Sequence, residues 1–102
     1  MAARTQLRMY TINKGQMDEF LKVWREQVCP VRERHGFHVQ GGWIPDNENR
    51  FFWLITYDGD DWDKAEEGYF NDPDRKNMNP SPSSYVAHME LRFVHFESPK
   101  KS

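Results

Sequence analysis

The segment RFFWLITY at residues 50–57 constrains the fold of this chain more than any other feature. Both alternating sets of its side chains are largely apolar or aromatic, which is typical of a strand that is covered on both faces of its sheet. A chain of 102 residues has room for one domain with one modest core. We therefore expect a central strand here, with helices on one face of the sheet and a second covering on the other.

Three further segments alternate between apolar and polar residues, which predicts strands over residues 6–12, 37–44 and 87–96. Residues 72–86 hold three prolines and little periodicity, so we expect a long loop there.

The second predicted strand, residues 37–44, carries an unusual pair of glycines. Strict alternation places Phe37, Val39 and Trp43 on one face of this strand. The pair Gly41-Gly42 predicts either a bulge or a close approach of another part of the chain.

Two helices are predicted from apolar stripes at helical spacing. The first covers residues 16–28, and it should continue to His35 after a kink or a brief interruption at Pro30, which has no backbone N–H to donate. Gly36 suits the left-handed position that ends a helix. The second helix covers about residues 61–71.

The composition excludes several classes of protein. A single cysteine excludes an internal disulfide framework and a cysteine-based zinc site. The net charge of -2 argues against a nucleic-acid partner. No run of about 18 apolar residues is present, so we expect no membrane partner. The start, MAARTQLRMY, has no apolar segment typical of a secretory signal, and we expect a cytoplasmic protein.

The resulting element order, βαββαβ, predicts an α+β fold of the ferredoxin-like type. We expect a single domain over residues 1–102 with an ordered core of about 5–97. In this topology the first and third strands are central and the fourth lies beside the first. An RNA-recognition motif has the same order, but the third strand lacks its aromatic pattern, so we reject RNA binding.

The alternation also predicts which residues lie beneath the helices. The apolar set expected there comprises Leu7, Met9, Met89, Leu91 and Phe93. The opposite face is then expected to carry Arg8, Tyr10, His38, Gln40, either Trp53 or Leu54, His88, Glu90 and Arg92. A monomer would expose large apolar residues of the third strand on that face. We therefore predict a homodimer in which two such faces enclose a shared interior.

The chain resembles the NIPSNAP family of the dimeric α+β barrel superfamily. The resemblance rests on QLRMYTINKGQMDEFLKVWRE, on RERHGFHVQGGW and on the strand end Thr56-Tyr57-Asp58, and it covers about residues 5–70. It implies a homodimer of ferredoxin-like subunits that form a dimeric α+β barrel with the helices outside. It also implies a cavity in each subunit for a small, often aromatic molecule. Relatives in the superfamily include cofactor-free monooxygenases, isomerases, dehydratases and haem proteins.

A polar cluster on the last and first strands is the candidate catalytic site. His88, Glu90 and Arg92 share one parity, and Arg8 and Tyr10 lie on the neighbouring strand. In this hypothesis Arg8 or Arg92 orients an anionic or phenolate group, and His88 or Tyr10 transfers a proton. We assign catalysis to His88, Tyr10 and Arg92. The alternative is a structural pair between Glu90 and an arginine in a dimer interface.

The aromatic residues offer a second candidate feature, a pocket for a flat ligand. The candidates are Trp43, Trp53, Tyr57, Trp62, Tyr69 and Tyr85. The alternative, which we favour, is that a chain with few leucines and isoleucines uses aromatic residues as its core. The predicted ligand-binding set is Arg8, His38, Glu90, Trp53, Tyr57 and Tyr85.

Metal and cofactor chemistry finds little support in the sequence. The four histidines, His35, His38, His88 and His95, form no metal-binding array, so we predict no metal and no cofactor. Cys29 is predicted to be a buried structural thiol. The function that we predict is binding of a small aromatic or lipophilic molecule by a homodimer, with cofactor-independent oxygenation or isomerisation as its chemistry. The alternative is a non-catalytic module that interacts with a partner or sequesters a ligand.

Overall fold

A computed structural model of the chain describes residues 3–100. Its four strands form one antiparallel sheet. They are β1 (Arg4–Ile12), β2 (Phe37–Trp43), β3 (Arg50–Tyr57) and β4 (Val86–Val94), in the spatial order β2-β3-β1-β4. The predicted α+β, ferredoxin-like fold is confirmed, with the first and third strands central and the fourth beside the first.

The first helical segment runs from Met17 to Arg34 without a break. It consists of α1 (Met17–Val23), a π-helical turn (Trp24–Val28) and α2 (Cys29–Arg34). The helix is not interrupted at Pro30, and a wider π turn precedes that residue, in which the N–H of Cys29 donates to the carbonyl of Trp24. Gly36 follows the helix at φ +89°, the predicted left-handed position.

The second helical segment is more extensive than predicted. It begins with α3 (Trp62–Asn71), whose first turn is capped by the Asp61 carboxylate. The segment expected to be a long loop then forms α4 (Pro73–Lys76) and a 3₁₀ turn (Pro82–Tyr85). Of the helices in residues 3–100, none has the length and apolar character needed to cross a bilayer.

The helices cover the opposite side of β1 from the one predicted. Arg8 and Tyr10 are buried beneath them, whereas Leu7 and Met9 lie half-buried on the other face, so the prediction for this strand is wrong. The reason lies in the pairing with β3, where Trp53 is the direct partner of Arg8. The indole of Trp53 is fully buried in the core, and its strand neighbours must share that side.

Trp43 also lies on a different face from the one predicted. The register between β2 and β3 shifts between Val39 and Gly41, which confirms the predicted bulge. The shift places Trp43 opposite Phe52, away from the helices, and its side chain is 52% exposed. Strict alternation failed here because a bulge adds one unpaired residue to the strand.

The side of the sheet away from the helices is called the open face below. Its apolar members are Leu7, Met9, Trp43, Phe52, Leu54 and Val94. Its polar members include His38, Gln40, His88, Glu90 and Arg92, as predicted, whereas Arg8 and Tyr10 lie on the helix side. Of the predicted alternatives Trp53 and Leu54, the open face carries Leu54. On β4, Met89, Leu91 and Phe93 are on the helix side, as predicted, but the helices leave them partly exposed.

Candidate functional site

A cavity of about 220 Å³ lies between the sheet and the helices. Its sheet wall is made by Arg8, Tyr10, Trp53, Val86, Met89 and Leu91. Its helical wall is made by Phe20, Trp24, Val28, Arg32, Glu66, Tyr69, Phe70, Arg75, Pro82 and Ser83. Most of this lining is aromatic or aliphatic, and a few polar groups are set into it. That combination is typical of sites for small molecules.

Arg8 is the buried cation of the sheet wall, only 5% exposed. Its Nε donates to the hydroxyl of Tyr10 at 2.9 Å, and its Nη1 donates to Oε1 of Gln6 at 2.6 Å. Both acceptors are uncharged. Within residues 3–100, the ion pairs made by arginines do not include Arg8. Its charge is therefore hydrogen-bonded but not neutralised, which is costly inside a protein.

Arg32 is the buried cation of the helical wall, and its situation differs from that of Arg8. It is 1% exposed and forms a salt bridge with Glu66 across α2 and α3. Its guanidinium also lies 3.9 Å from the ring centroid of Tyr69, in cation–π geometry. Burial lowers the pKa of Arg32, the nearby Arg8 charge lowers it further, and Glu66 opposes both effects.

Four N–H donors of the cavity-lining residues are buried without a hydrogen-bond partner among residues 3–100. They are Nε1 of Trp24, Nε1 of Trp53, Nε of Arg32 and Nε of Arg75. Native proteins satisfy most buried donors, so a group of unsatisfied donors on one cavity is unusual. The residues that line the cavity thus carry four buried donors for which the described residues supply no acceptor.

The structure brings together three residues of the predicted site, Arg8, Tyr10 and Trp53, all in the cavity wall. Tyr85 is buried against Phe20 with 6.3 Å between ring centroids, and it does not line the cavity.

Of the predicted aromatic pocket, only Trp53 and Tyr69 line the cavity. Tyr57 and Trp62 pack around Phe37, with ring centroids at 5.3 Å and 5.0 Å from it. They serve as core, which agrees with the alternative that we favoured from the sequence.

The predicted residues His38, His88, Glu90 and Arg92 lie on the open face. The predicted cluster of Arg8 and Tyr10 with His88, Glu90 and Arg92 therefore does not form within the chain. Glu90 accepts from Arg92 at 3.2 Å and lies 3.7 Å from His88. These three side chains are exposed or half-buried. His38 is also exposed there and lies 3.6 Å from Asp58.

Two charged residues of the helical wall, Arg32 and Glu66, are not among the predicted site residues. Arg32 follows Val28 by four residues, and Glu66 follows Trp62 by four residues, so both continue an inward-facing stripe. The signal was therefore present in the helical phase. It was overlooked because charged residues at helix ends and on helix surfaces are usually solvated.

Other reactive groups lie apart from the cavity. Cys29 is half-buried, and burial raises the pKa of its thiol to about 12, as expected of a structural thiol. The residues described by the structure contain no cluster of three or more His, Cys, Asp or Glu side chains arranged for a metal ion.

The comparisons with known proteins bear on the family and the fold. A family model described as NIPSNAP matches residues 5–98. None of the curated proteins matches the chain. A crystal structure of a NIPSNAP family protein from Agrobacterium tumefaciens is 21% identical with a TM-score of 0.84, covering 98% of this chain and 100% of that one.

Two further structures show the range of similar folds. An uncharacterised NIPSNAP domain protein from Burkholderia xenovorans is 22% identical with a TM-score of 0.78, covering 97% of this chain and 99% of that one. A putative antibiotic biosynthesis monooxygenase from Nitrosomonas europaea is 9% identical with a TM-score of 0.67, covering 91% and 97%. At these identities the structures show a shared fold.

Proposed function

This chain belongs to the NIPSNAP family, and from that premise we propose that it binds one small aromatic or apolar molecule in the cavity between its sheet and its helices. The observation that carries the proposal is the cavity of about 220 Å³ with largely apolar walls. A dry apolar cavity of about 150 Å³ already admits benzene in another protein. One aromatic ring with a small substituent is therefore the size of ligand that we expect.

The polar groups favour binding over proton transfer. Of the described residues that line the cavity, none is a histidine, and the one carboxylate, Glu66, is engaged by Arg32. The non-catalytic alternative, a module that sequesters a small ligand, is therefore the simplest function of this site. A ligand would be held by shape, by aromatic contacts and by the N–H donors of the walls.

Cofactor-independent oxygenation or isomerisation is the second candidate function. Such chemistry proceeds through a substrate anion, which a buried guanidinium stabilises in a site that excludes water. Arg8, with Tyr10 bonded to its Nε at 2.9 Å, is the group that favours this candidate. Consumption of dioxygen or a change in the ligand on incubation with the protein would support it, and unchanged recovery of the ligand would support sequestration.

Methionine-methyl NMR spectroscopy tests the binding site directly. Met89 lines the cavity, whereas Met9 lies on the opposite side of the same sheet. Titration with toluene should shift the methyl signal of Met89 and leave that of Met9 in place. A shift confined to Met9 would move the ligand to the open face, and no shift at millimolar toluene would contradict the proposed function.

We also propose that two subunits pair through their open faces. Leu7, Met9, Phe52 and Leu54 form a half-buried apolar patch on the two central strands, and apolar patches of this kind are typical of interfaces. The substitution Leu54→Glu would place a charge in the centre of such an interface. Light scattering should then give the mass of a monomer at micromolar concentration.

Lys22→Glu on the exposed side of α1 is the control, since it also adds negative charge and should leave the dimer intact. A monomeric wild-type protein would contradict the pairing without affecting the cavity proposal.

A further inference from the structure

We infer that the ligand of this cavity is a monocyclic aromatic carboxylate whose carboxylate group pairs with Arg8. This inference rests on the proposed function, and it names the chemical class of the ligand. It rests on the buried charge of Arg8, on the buried N–H donors without partners among the described residues and on the volume of the cavity.

The two buried arginines of the cavity differ in whether they have a counterion. Arg32 is neutralised by Glu66, whereas the partners of Arg8 are the neutral side chains of Tyr10 and Gln6. A buried guanidinium without a counterion carries an electrostatic cost that a bound anion would remove. Of the two buried arginines of the cavity, Arg8 is therefore the one that lacks a counterion among the described residues, and a monoanion would supply it.

Arg75 does not require a second negative charge on the ligand. It lines the cavity and is only half-buried, with its guanidinium 5.2 Å from the ring centroid of Phe70. Although its Nε is one of the buried donors without a partner among the described residues, part of its side chain reaches solvent, so its charge carries a smaller desolvation cost than that of Arg8. A second negative charge on the ligand is therefore not required, which argues against a phosphate dianion.

The unsatisfied donors support an acceptor-rich ligand group. The indole N–H groups of Trp24 and Trp53 are both buried without partners among the described residues, and both residues line the same cavity as Arg8. A carboxylate carries only acceptors and can take hydrogen bonds from a guanidinium and an indole together. A neutral or cationic group would leave the Arg8 charge without a counterion.

The lining and the size of the cavity indicate that the rest of the ligand is a single aromatic ring. Tyr10, Trp24 and Trp53 already meet edge to face, with ring centroids at 5.8 Å for the two tryptophans and 6.1 Å for Tyr10 and Trp53. A further ring can join such a cluster in the same geometry. The volume of about 220 Å³ suits one ring and its carboxylate.

Benzoate and benzamide provide a matched pair of probes, since they share shape and ring but differ in charge. Their dissociation constants would be measured by NMR titration with the methyl group of Met89 as the reporter. Benzoate should bind at least about tenfold more tightly than benzamide, because a charge-assisted hydrogen bond replaces a neutral one.

Two substitutions connect this preference to Arg8. Arg8→Gln should abolish the preference for benzoate, and Arg8→Lys, which keeps the charge, should retain most of it. Arg92→Gln is the matched control, because Arg92 lies on the adjacent strand but on the open face, and it should bind both probes as the wild type does.

The outcomes separate the two proposals. Equal binding of both probes by the wild type would overturn the carboxylate inference and leave the proposed binding function in place. Failure of both probes to shift the Met89 signal would overturn both proposals. If Arg8→Gln does not fold, Arg8→Met takes its place, because it also removes the charge and keeps much of the side-chain volume, and it should likewise lose the preference for benzoate.

Discussion

Glu66 on α3 neutralises Arg32 on α2, and this salt bridge joins the two main helices across the roof of the cavity. Arg32 is almost fully buried, while the Glu66 side chain keeps 23% of its surface exposed. The Arg32 guanidinium therefore cannot regain its hydration unless the protein unfolds. Removing Glu66 should therefore destabilise the protein, because the charge of Arg32 then stays buried without a partner.

We predict that Glu66→Gln lowers the free energy of unfolding by about 3 kcal/mol, because it leaves a buried guanidinium without its counterion. Urea denaturation monitored by tryptophan fluorescence measures this change. Glu67→Gln, an exposed neighbour on the same helix, is the control and should change the free energy by less than about 0.5 kcal/mol. Similar losses in both variants would show that the salt bridge contributes nothing specific.

Replacing Arg8 should have the opposite effect in the absence of ligand. Arg8→Met keeps much of the side-chain volume and removes a buried charge that Gln6 and Tyr10 do not neutralise, so we expect the free energy of unfolding to rise by about 1 kcal/mol. Binding sites often carry such a cost to stability. Arg92→Met on the open face should leave stability nearly unchanged. A destabilised Arg8→Met variant would mean that its hydrogen bonds outweigh the buried charge.

Cys29 should react very slowly with alkylating reagents in the folded protein. Burial raises the pKa of its thiol to about 12, so the reactive thiolate is rare at mildly alkaline pH. We expect alkylation by iodoacetamide to be slower than that of free cysteine by about a thousandfold, from the difference in thiolate population alone. The same protein in denaturant should react at the rate of free cysteine. Rapid alkylation of the folded protein would contradict this prediction.

Asp72 should make the stability of the protein depend on acid pH. Its carboxylate bonds to His35 at 2.7 Å, and this bond, the N–H of Asp74 and Arg34 hold its pKa below its ordinary value of 3.8. A lowered folded-state pKa means that the stabilisation is complete above the ordinary value and is lost as the pH falls through the lower one.

The variant Asp72→Asn can still accept the N–H of Asp74, so it isolates the charge. We expect it to unfold at a lower denaturant concentration than the wild type at neutral pH, with the difference shrinking below about pH 4. Denaturant midpoints measured across this pH range check the prediction. A difference that is constant with pH would assign the effect to geometry and not to charge.

The element order and most element ends could be predicted because their signals are local. Residues 50–57 form a strand with the predicted bounds, and Gly36 ends its helix in the predicted conformation. Such features depend on turn chemistry and on the period of the apolar residues, which a single segment contains.

The site was less predictable because it depends on which face of β1 is covered. Leu7 and Met9 are more apolar than Arg8 and Tyr10, so alternation alone assigns them to the core. In the structure Arg8 is accommodated beneath the helices by Gln6 and Tyr10 on its own strand. Which face of β1 the helices cover becomes evident only from the register with β3, because it places Arg8 beside the buried Trp53.

The bulge in β2 has a consequence for how the length of this chain can vary. Removing one residue between Val39 and Gly41 would restore strict alternation and swing the indole of Trp43 inward. No space is available there, since even a methyl group at Gly42 would overlap the ring of Phe51. Insertions and deletions among homologous chains should therefore avoid this edge strand and accumulate in the turn between β2 and β3.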